Sequence, residues 1–170
     1  MITTSKQHYA ERLNSIVNHG RSSRIEAQQL GSNLRMSEVS AAIGSVQLSN
    51  LDNWLQRRRN IATRYLQECG DNVKLMMPKV RENCQHAWHQ FCILVEDEVA
   101  FCQHMDEELI DARVHYPIPC HKQPVFSDHP QHNVNMTTTD SISNKLVAIP
   151  IFHEMRDDEI DRLISALNSY

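Results

Sequence analysis

The sequence predicts a small α/β (α+β) unit carrying one disproportionately long amphipathic helix. Three observations predict it. Apolar residues recur at helical spacing through Val39, Ile43, Val46, Leu51, Trp54, Leu55, Ile61, Ala62, Tyr65 and Leu66, and no proline occurs before Pro78. Short runs of strand type then follow: HAWHQFCILV at 86–95, a segment at 112–116, and LVAIPI at 146–151. A second amphipathic stretch ends the chain, with Ile160, Leu163, Ile164 and Leu167 on one side.

The elements follow in order. Gln7 to Val17 reads as a short helix with Tyr9, Leu13, Ile16 and Val17 on one face, and Gly20 is its expected C-terminal cap. Residues 20–35 hold two glycines and three arginines with little apolar content, a long polar loop of the kind that is functional or disordered. Ser37 is a good N-cap for the long helix, and Glu38 suits the positive end of its dipole. Gly44 weakens that helix unless a neighbour packs closely on it, and Gly70 stops it. A helix over 37–69 is about 50 Å long at the standard rise. A compact domain of this size has a radius of gyration near ~15 Å. Such a helix overhangs its own domain and needs a partner surface. Beyond Pro78 the order is strand 86–95, helix 98–110, strand 112–116, a rigid loop HYPIPCH at 115–121, an irregular polar stretch at 127–144, strand 146–151 and helix 156–167. Three or four strands make the sheet.

Composition narrows the function classes. With 170 residues, 41% hydrophobic and 22% charged, the chain is an ordinary globular domain or part of a larger protein. A net charge of −4 makes no basic field, so no nucleic-acid partner is expected. No apolar run approaches the ~20 residues of a membrane span, and MITTSKQHYAERL has no apolar core of a signal peptide. Five cysteines without C-x-x-C spacing point to reduced thiols in a cytoplasmic protein.

Several constellations invite chemistry. His86/His89 and His129/His132 are each three apart, but no cysteine or carboxylate completes a zinc spacing, and no metal is expected. Arg57, Arg58 and Arg59 spread around a helix as a solvated, ion-paired face. Asn33 and Arg35 stand just before the long helix. A guanidinium beside free helix N–H groups makes an anion site, and a simple capping role fits the residues equally. The stiff loop with His115, Tyr116 and His121 presents two imidazoles and a phenol, and fits ligand binding and packing alike. There is no G-x-S-x-G, Walker loop or G-x-G-x-x-G, and none of Lys6, Lys74, Lys79, Lys122 and Lys145 sits in an apolar setting.

Five stretches, in order, carry a resemblance: NHGRSS at 18–23, GSNLRMSEVSAAIGSVQLSNLDNWLQRRRNIATRY at 31–65, HAWHQFCILV at 86–95, VHYPIPCH at 114–121 and AIPIF at 148–152. They resemble the C-terminal part of the DegT/DnrJ/EryC1/StrS family of sugar aminotransferases. The resemblance implies the C-terminal small domain of aspartate-aminotransferase fold type I, with a long interdomain and interface helix. It divides the chain into 1–36 (edge of the large domain and active-site loop), 37–70 (connecting helix) and 71–170 (small domain).

The implied chemistry is transfer of an amino group, commonly from glutamate, to a keto group on a nucleotide-linked sugar, for polysaccharide, lipopolysaccharide or antibiotic synthesis. Pyridoxal 5'-phosphate is the implied cofactor, held as a Schiff base by a lysine of the larger N-terminal domain, so no catalytic residue is assigned here. By the same resemblance the active sites lie at a homodimer interface. Asn33 and Arg35 reach the cofactor phosphate in the partner's site, and His115, Tyr116 and His121 line the sugar-nucleotide side. Departures include Leu109 where the family usually has glycine, Ala148 in place of serine or leucine, and Lys6 at a usually acidic position. Met1 falls within what is a strand of the large domain. Two expectations stay open: part of a sugar aminotransferase, or a catalytically silent remnant acting in dimerisation. An unrelated module built on the long helix fits the motif order poorly. The dehydratase branch, with histidine for the lysine, is decided at a position outside these motifs.

Overall fold

The computed structural model describes residues 2–23, 25–130 and 134–170. It divides into two compact units, Met1–Asn50 and Leu51–Tyr170.

In the first unit, helix α1 is Gln7–Val17, as its spacing predicts. It ends in two left-handed residues, His19 (φ 61°) and Gly20 (φ 74°). The Gly20 N–H returns 2.8 Å to the Ser15 carbonyl, closing the last turn. The polar stretch after it is not a slack loop. It is sewn to the end of α1 by Ser32 N–H to the Ile16 carbonyl (2.9 Å), Leu34 N–H to the Val17 carbonyl (3.1 Å) and His19 N–H to the Ser32 carbonyl (3.2 Å). Two glycines permit this closeness: a Cβ on Gly20 would lie 1.7 Å from the Gln29 carbonyl oxygen, and one on Gly31 2.2 Å from the Gly20 nitrogen.

Helix α2, Glu38–Glu68, is a continuous 31-residue helix. Ser37 caps it, its hydroxyl accepting the Ser40 N–H at 3.1 Å. Its N-terminal apolar residues Val39, Ile43, Val46 and Leu48 are exposed. Gly44 has open space around it, so no close neighbour explains it.

The second unit is mixed helix and small antiparallel sheet. Strands β1 (Leu75–Met76), β2 (Phe91–Val95), β3 (Arg113–Val114) and β4 (Leu146–Ile149) lie in the order β1-β2-β4-β3, every neighbour antiparallel. Phe91, Ile93 and Val95 of β2 and Val147 and Ile149 of β4 are buried. They share one core with Ile61, Ala62 and Tyr65 of α2, with Phe101 and Met105 of α3 (Glu98–Glu107), and with Ile160, Leu163, Ile164 and Leu167 of α5 (Asp157–Ser169). At the start of α5 the Glu159 carboxylate reaches back to accept the Arg156 backbone N–H at 2.9 Å.

Four sequence expectations are corrected. The strand expected from residue 86 begins only at Phe91. Trp88 is left-handed (φ 50°), its N–H is taken by His86 Nδ1 at 3.0 Å, and the turned backbone cannot join a ladder. Helix α3 stops at Glu107 rather than Ile110. Residues 127–144 are not all irregular, because α4 spans Thr137–Ile142, a short helix of Thr and Ser without apolar period. Arg57, Arg58 and Arg59 are not a solvated face. Arg58 donates to the carbonyls of Trp88 (2.8 Å) and Ile151 (2.7 Å), and Arg57 to the Met155 carbonyl (2.8 Å) and Asp157 (2.7 Å). Arg59 donates to the His86 carbonyl at 3.4 Å. The run clamps loop carbonyls that no strand satisfies.

The end of α3 is a Schellman motif. Ile110 N–H bonds the Met105 carbonyl (2.8 Å), Leu109 N–H bonds the Asp106 carbonyl (2.9 Å), and Leu109 is left-handed at φ 57°. A side chain there costs ~1–2 kcal/mol, partly offset by the greater freedom glycine has when unfolded. Leu109 is 82% exposed and contributes little burial. Leu109→Gly is therefore expected to stabilise the protein by about 0.5–1 kcal/mol in chemical denaturation. An unchanged or lowered midpoint would contradict that reading of the turn.

Candidate functional site

Chemistry-bearing groups gather in one cluster in each unit. In the first, the left-handed turn after α1 throws Arg21, Ser22 and Ser23 to one side, and the bridge between Asn18 and Asn33 brings the following arm alongside. Arg35 then donates to the Asn18 side-chain oxygen. Asn18, Arg21, Ser22, Ser23 and Arg35 line an open cleft of about 310 Å³. Among the described residues two guanidiniums and two hydroxyls face it and no carboxylate lines it, which is the donor set for a phosphate-like dianion. Asn33 takes part through its backbone and is outside that lining. The capped start of α2 is outside it as well, so Arg35 is joined by Arg21 and the serines rather than by helix N–H groups. The motif NHGRSS was the available signal for Arg21, Ser22 and Ser23. Their roles were missed because the chain reversal at His19 and Gly20 has no periodicity.

In the second unit, His115, Tyr116 and His121 lie on the loop leaving β3. His115 N–H continues the ladder to the Leu146 carbonyl at 2.8 Å. Its ring lies 4.0 Å from that of Tyr116, and its Nδ1 is 3.5 Å from Gln90 Nε2. Tyr116 is 67% exposed, so its hydroxyl is available to a ligand. His121 is different: its side chain is 11% exposed and its Nε2 meets Asp140 Oδ1 at 3.1 Å. Lys122 Nζ meets the same oxygen at 2.8 Å. The Lys122 bond, reinforced by the His121 contact, holds the Asp140 carboxyl below its usual range. Asp140 was missed because it sits among threonines and serines with no motif around it.

Other groups are structural. Lys74 bonds the Tyr170 carbonyl, Lys145 pairs with Glu96 at 2.5 Å, and Lys6 lies over the Tyr9 ring at 5.5 Å. Burial pushes the Cys69 thiol up to about 11, and all five cysteines are free. Among the described residues no group of three His, Cys, Asp or Glu is placed to hold a metal ion, and no helix is long and apolar enough to cross a membrane. His132 lies outside the described residues, so the His129/His132 pair has no structural account.

Comparison with known proteins gives the chain a family. The model of the DegT/DnrJ/EryC1/StrS aminotransferase family matches residues 1–168. A dTDP-3-amino-3,6-dideoxy-alpha-D-galactopyranose transaminase of Aneurinibacillus thermoaerophilus is 37% identical over 169 residues, 99% of this chain and 46% of that protein. A UDP-N-acetyl-3-dehydro-alpha-D-glucosamine 3-aminotransferase of Acidithiobacillus ferrooxidans is 25% identical over 98% of this chain and 44% of its own length. The solved structure of S. venezuelae DesV in complex with a ketimine intermediate superposes with a TM-score of 0.93 at 26% identity, covering 98% of this chain and 45% of that one. Bacillus subtilis NtdA with bound PMP shares the fold, at a TM-score of 0.87 and 23% identity over 98% of this chain and 40% of its own. The chain thus spans under half the length of these relatives.

The Asp140 pairing sets a pH dependence. Its carboxyl titrates lower when folded than unfolded, so the pairing stabilises the fold above the ordinary value of ~3.9 and is lost as pH falls through the lower folded value. Wild type and Asp140→Asn are expected to differ by a constant amount in stability at neutral pH and to converge below about pH 4 in acid denaturation. A difference that grows on acidification would contradict the assignment.

Proposed function

This chain belongs to the DegT/DnrJ/EryC1/StrS aminotransferase family, and on that premise we propose that it is part of a pyridoxal-phosphate-dependent enzyme that aminates nucleotide-linked keto sugars. The observation that carries the reading is the cleft of Asn18, Arg21, Ser22, Ser23 and Arg35. Its donors suit a dianionic phosphate, so the residues present fit that end of the cofactor. They do not fit its ring end, since among the described residues no lysine lines the cleft. The lysine comes from the part of the enzyme that this chain does not span.

When bound, the cofactor supplies an electron sink for breaking the C–H bond beside the amine. The chain's own residues do the positioning. Arg35, with Asn33 in the same arm, reaches across a homodimer to bind and orient the phosphate in the partner's site. Residues 37–70 form the connecting and interface helix, between the large-domain edge at 1–36 and the small domain at 71–170. His115 and Tyr116 line the sugar-nucleotide side, where the Tyr116 hydroxyl donates to the substrate, and His121 belongs to the same loop. Glutamate is the amino donor. The enzyme works in the cytoplasm, and its amino sugar enters polysaccharide, lipopolysaccharide or antibiotic synthesis. The printed activities of the relatives support dTDP- or UDP-linked 3-keto sugars as the substrate class.

The test uses the holoenzyme run in reverse: dTDP-3-amino-3,6-dideoxy-α-D-galactopyranose and its UDP-linked counterpart are offered with 2-oxoglutarate, and glutamate is measured. Glutamate is expected with one of them. Its absence with both sinks the reading. Arg35→Ala is expected to weaken cofactor binding roughly tenfold or more, the scale of a lost charge-assisted hydrogen bond. At a cofactor concentration too low to load Arg35→Ala, mixing those subunits with subunits lacking the cofactor lysine is expected to restore activity, because one hybrid site then holds both an intact lysine and the partner's Arg35. No restoration would place Arg35 in its own subunit's site.

A further inference from the structure

Tyr116 is carried on a loop whose two ends are tied to one short stretch of chain. At the entry, the His115 N–H bonds the Leu146 carbonyl at 2.8 Å. At the exit, His121 Nε2 (3.1 Å) and Lys122 Nζ (2.8 Å) converge on one oxygen of Asp140, in α4. Between the ties the chain is stiff. Pro117 and Pro119 fix their own φ, Cys120–Lys122 forms a 3₁₀ turn, and Gln123 Nε2 closes back on the Ile118 carbonyl at 3.0 Å. Asp140 leads into β4 through Ile142 and Lys145, whose carbonyl and N–H are bonded to each other at 2.9 Å. The segment from Asp140 to Leu146 therefore brackets the loop that displays the exposed phenol.

We infer that Asp140 is a positioning residue for the nucleotide sugar: its carboxylate holds His121 and Lys122 so that Tyr116 is presented in a fixed place. The inference rests on the reading of the Tyr116 loop as the sugar-nucleotide wall. It assigns His121 a different task from that of a ligand, because the imidazole's Nε2 is already committed to Asp140 and its side chain is nearly buried. Asp140 touches no reacting atom. Freeing the loop leaves the chemical step intact and makes substrate binding bear the cost of reordering several residues.

The experiment is steady-state kinetics of the holoenzyme with the dTDP- or UDP-linked amino sugar that it turns over, and 2-oxoglutarate. Asp140→Asn is expected to raise KM for the nucleotide sugar roughly tenfold, with kcat within about twofold and KM for 2-oxoglutarate unchanged. His121→Ala, which breaks the tie from the other side, is expected to do the same, and Asp140→Glu to recover part of the loss. Hydrogen exchange is expected to quicken in 116–123 and stay unchanged in α5. Faster exchange with an unaltered nucleotide-sugar KM overturns the positioning role, and so does an equal fall in kcat and kcat/KM. Tyr116→Ala separates the two readings. If it raises the nucleotide-sugar KM while Asp140→Asn does not, only the inference fails. If neither does, the loop is not the substrate wall and both fail.

Discussion

The second unit depends on how the C-terminal half of α2 is seated. Tyr65 is fully buried, and its hydroxyl donates to the Pro150 carbonyl at 3.0 Å. Its ring meets Phe91 edge-on at 5.2 Å. Burial pushes its phenol pKa up, so it stays a neutral donor at any ordinary pH. Two turns earlier, Arg58 gathers the carbonyls of Trp88 and Ile151. These are the places where β2 has not begun and β4 has ended. The helix thus satisfies the backbone groups that the small sheet leaves over, and buried groups of that kind are costly when unpaired.

That seating explains why the sheet is so short and still ordered. β4 pairs on both sides, with β2 and β3, and Pro150 has no N–H to extend it. The chain beyond it is held by α2 instead, through Tyr65 at Pro150, Arg58 at Ile151 and Arg57 at Met155. With β4 fixed, the loop after β3 has a rigid edge to start from at Leu146. The candidate substrate wall is thereby two steps from the core: helix to strand, strand to loop.

What was legible in the sequence follows from periodicity. Helices α1, α2 and α5 were read closely because an apolar stripe every three to four residues has one physical solution. Strand cores at 91–95, 113–114 and 146–149 were readable, but their ends were not, because ends are set by what satisfies the backbone. Trp88 and His86 look like strand residues and turn away through a local bond to an imidazole nitrogen. Leu109 hides a left-handed turn behind an apolar side chain, where glycine would have announced it. Of the candidate site, Arg35, His115 and Tyr116 stood out by charge and loop stiffness, which fitted capping and packing equally, and only the family resemblance gave them roles. Arg21, Ser22, Ser23 and Asp140 were not, because their neighbours are distant in sequence or ordinary in type.

The two halves of α2 differ in a way that the sequence alone does not distinguish. Ile61, Ala62 and Tyr65 continue the spacing of Val39, Ile43 and Val46, yet the first set is buried and the second is 71%, 56% and 66% exposed. A stripe of that kind is stable in water only while it is small, and Leu48, on the opposite side of the helix, is 60% exposed as well. Asn50, at the division between the units, bonds its own helix at the Val46 carbonyl, and so does Ser49 (2.9 and 2.7 Å). The polar residues there look inward to their own backbone and leave the apolar stripe as the part with contacts still to make. Under the proposed homodimer that stripe has its occupant, and the arm holding Arg35 leads directly into it. In that proposed assembly the burial joining two subunits would also deliver the guanidinium to the partner's site, and so would couple assembly to cofactor binding through one helix.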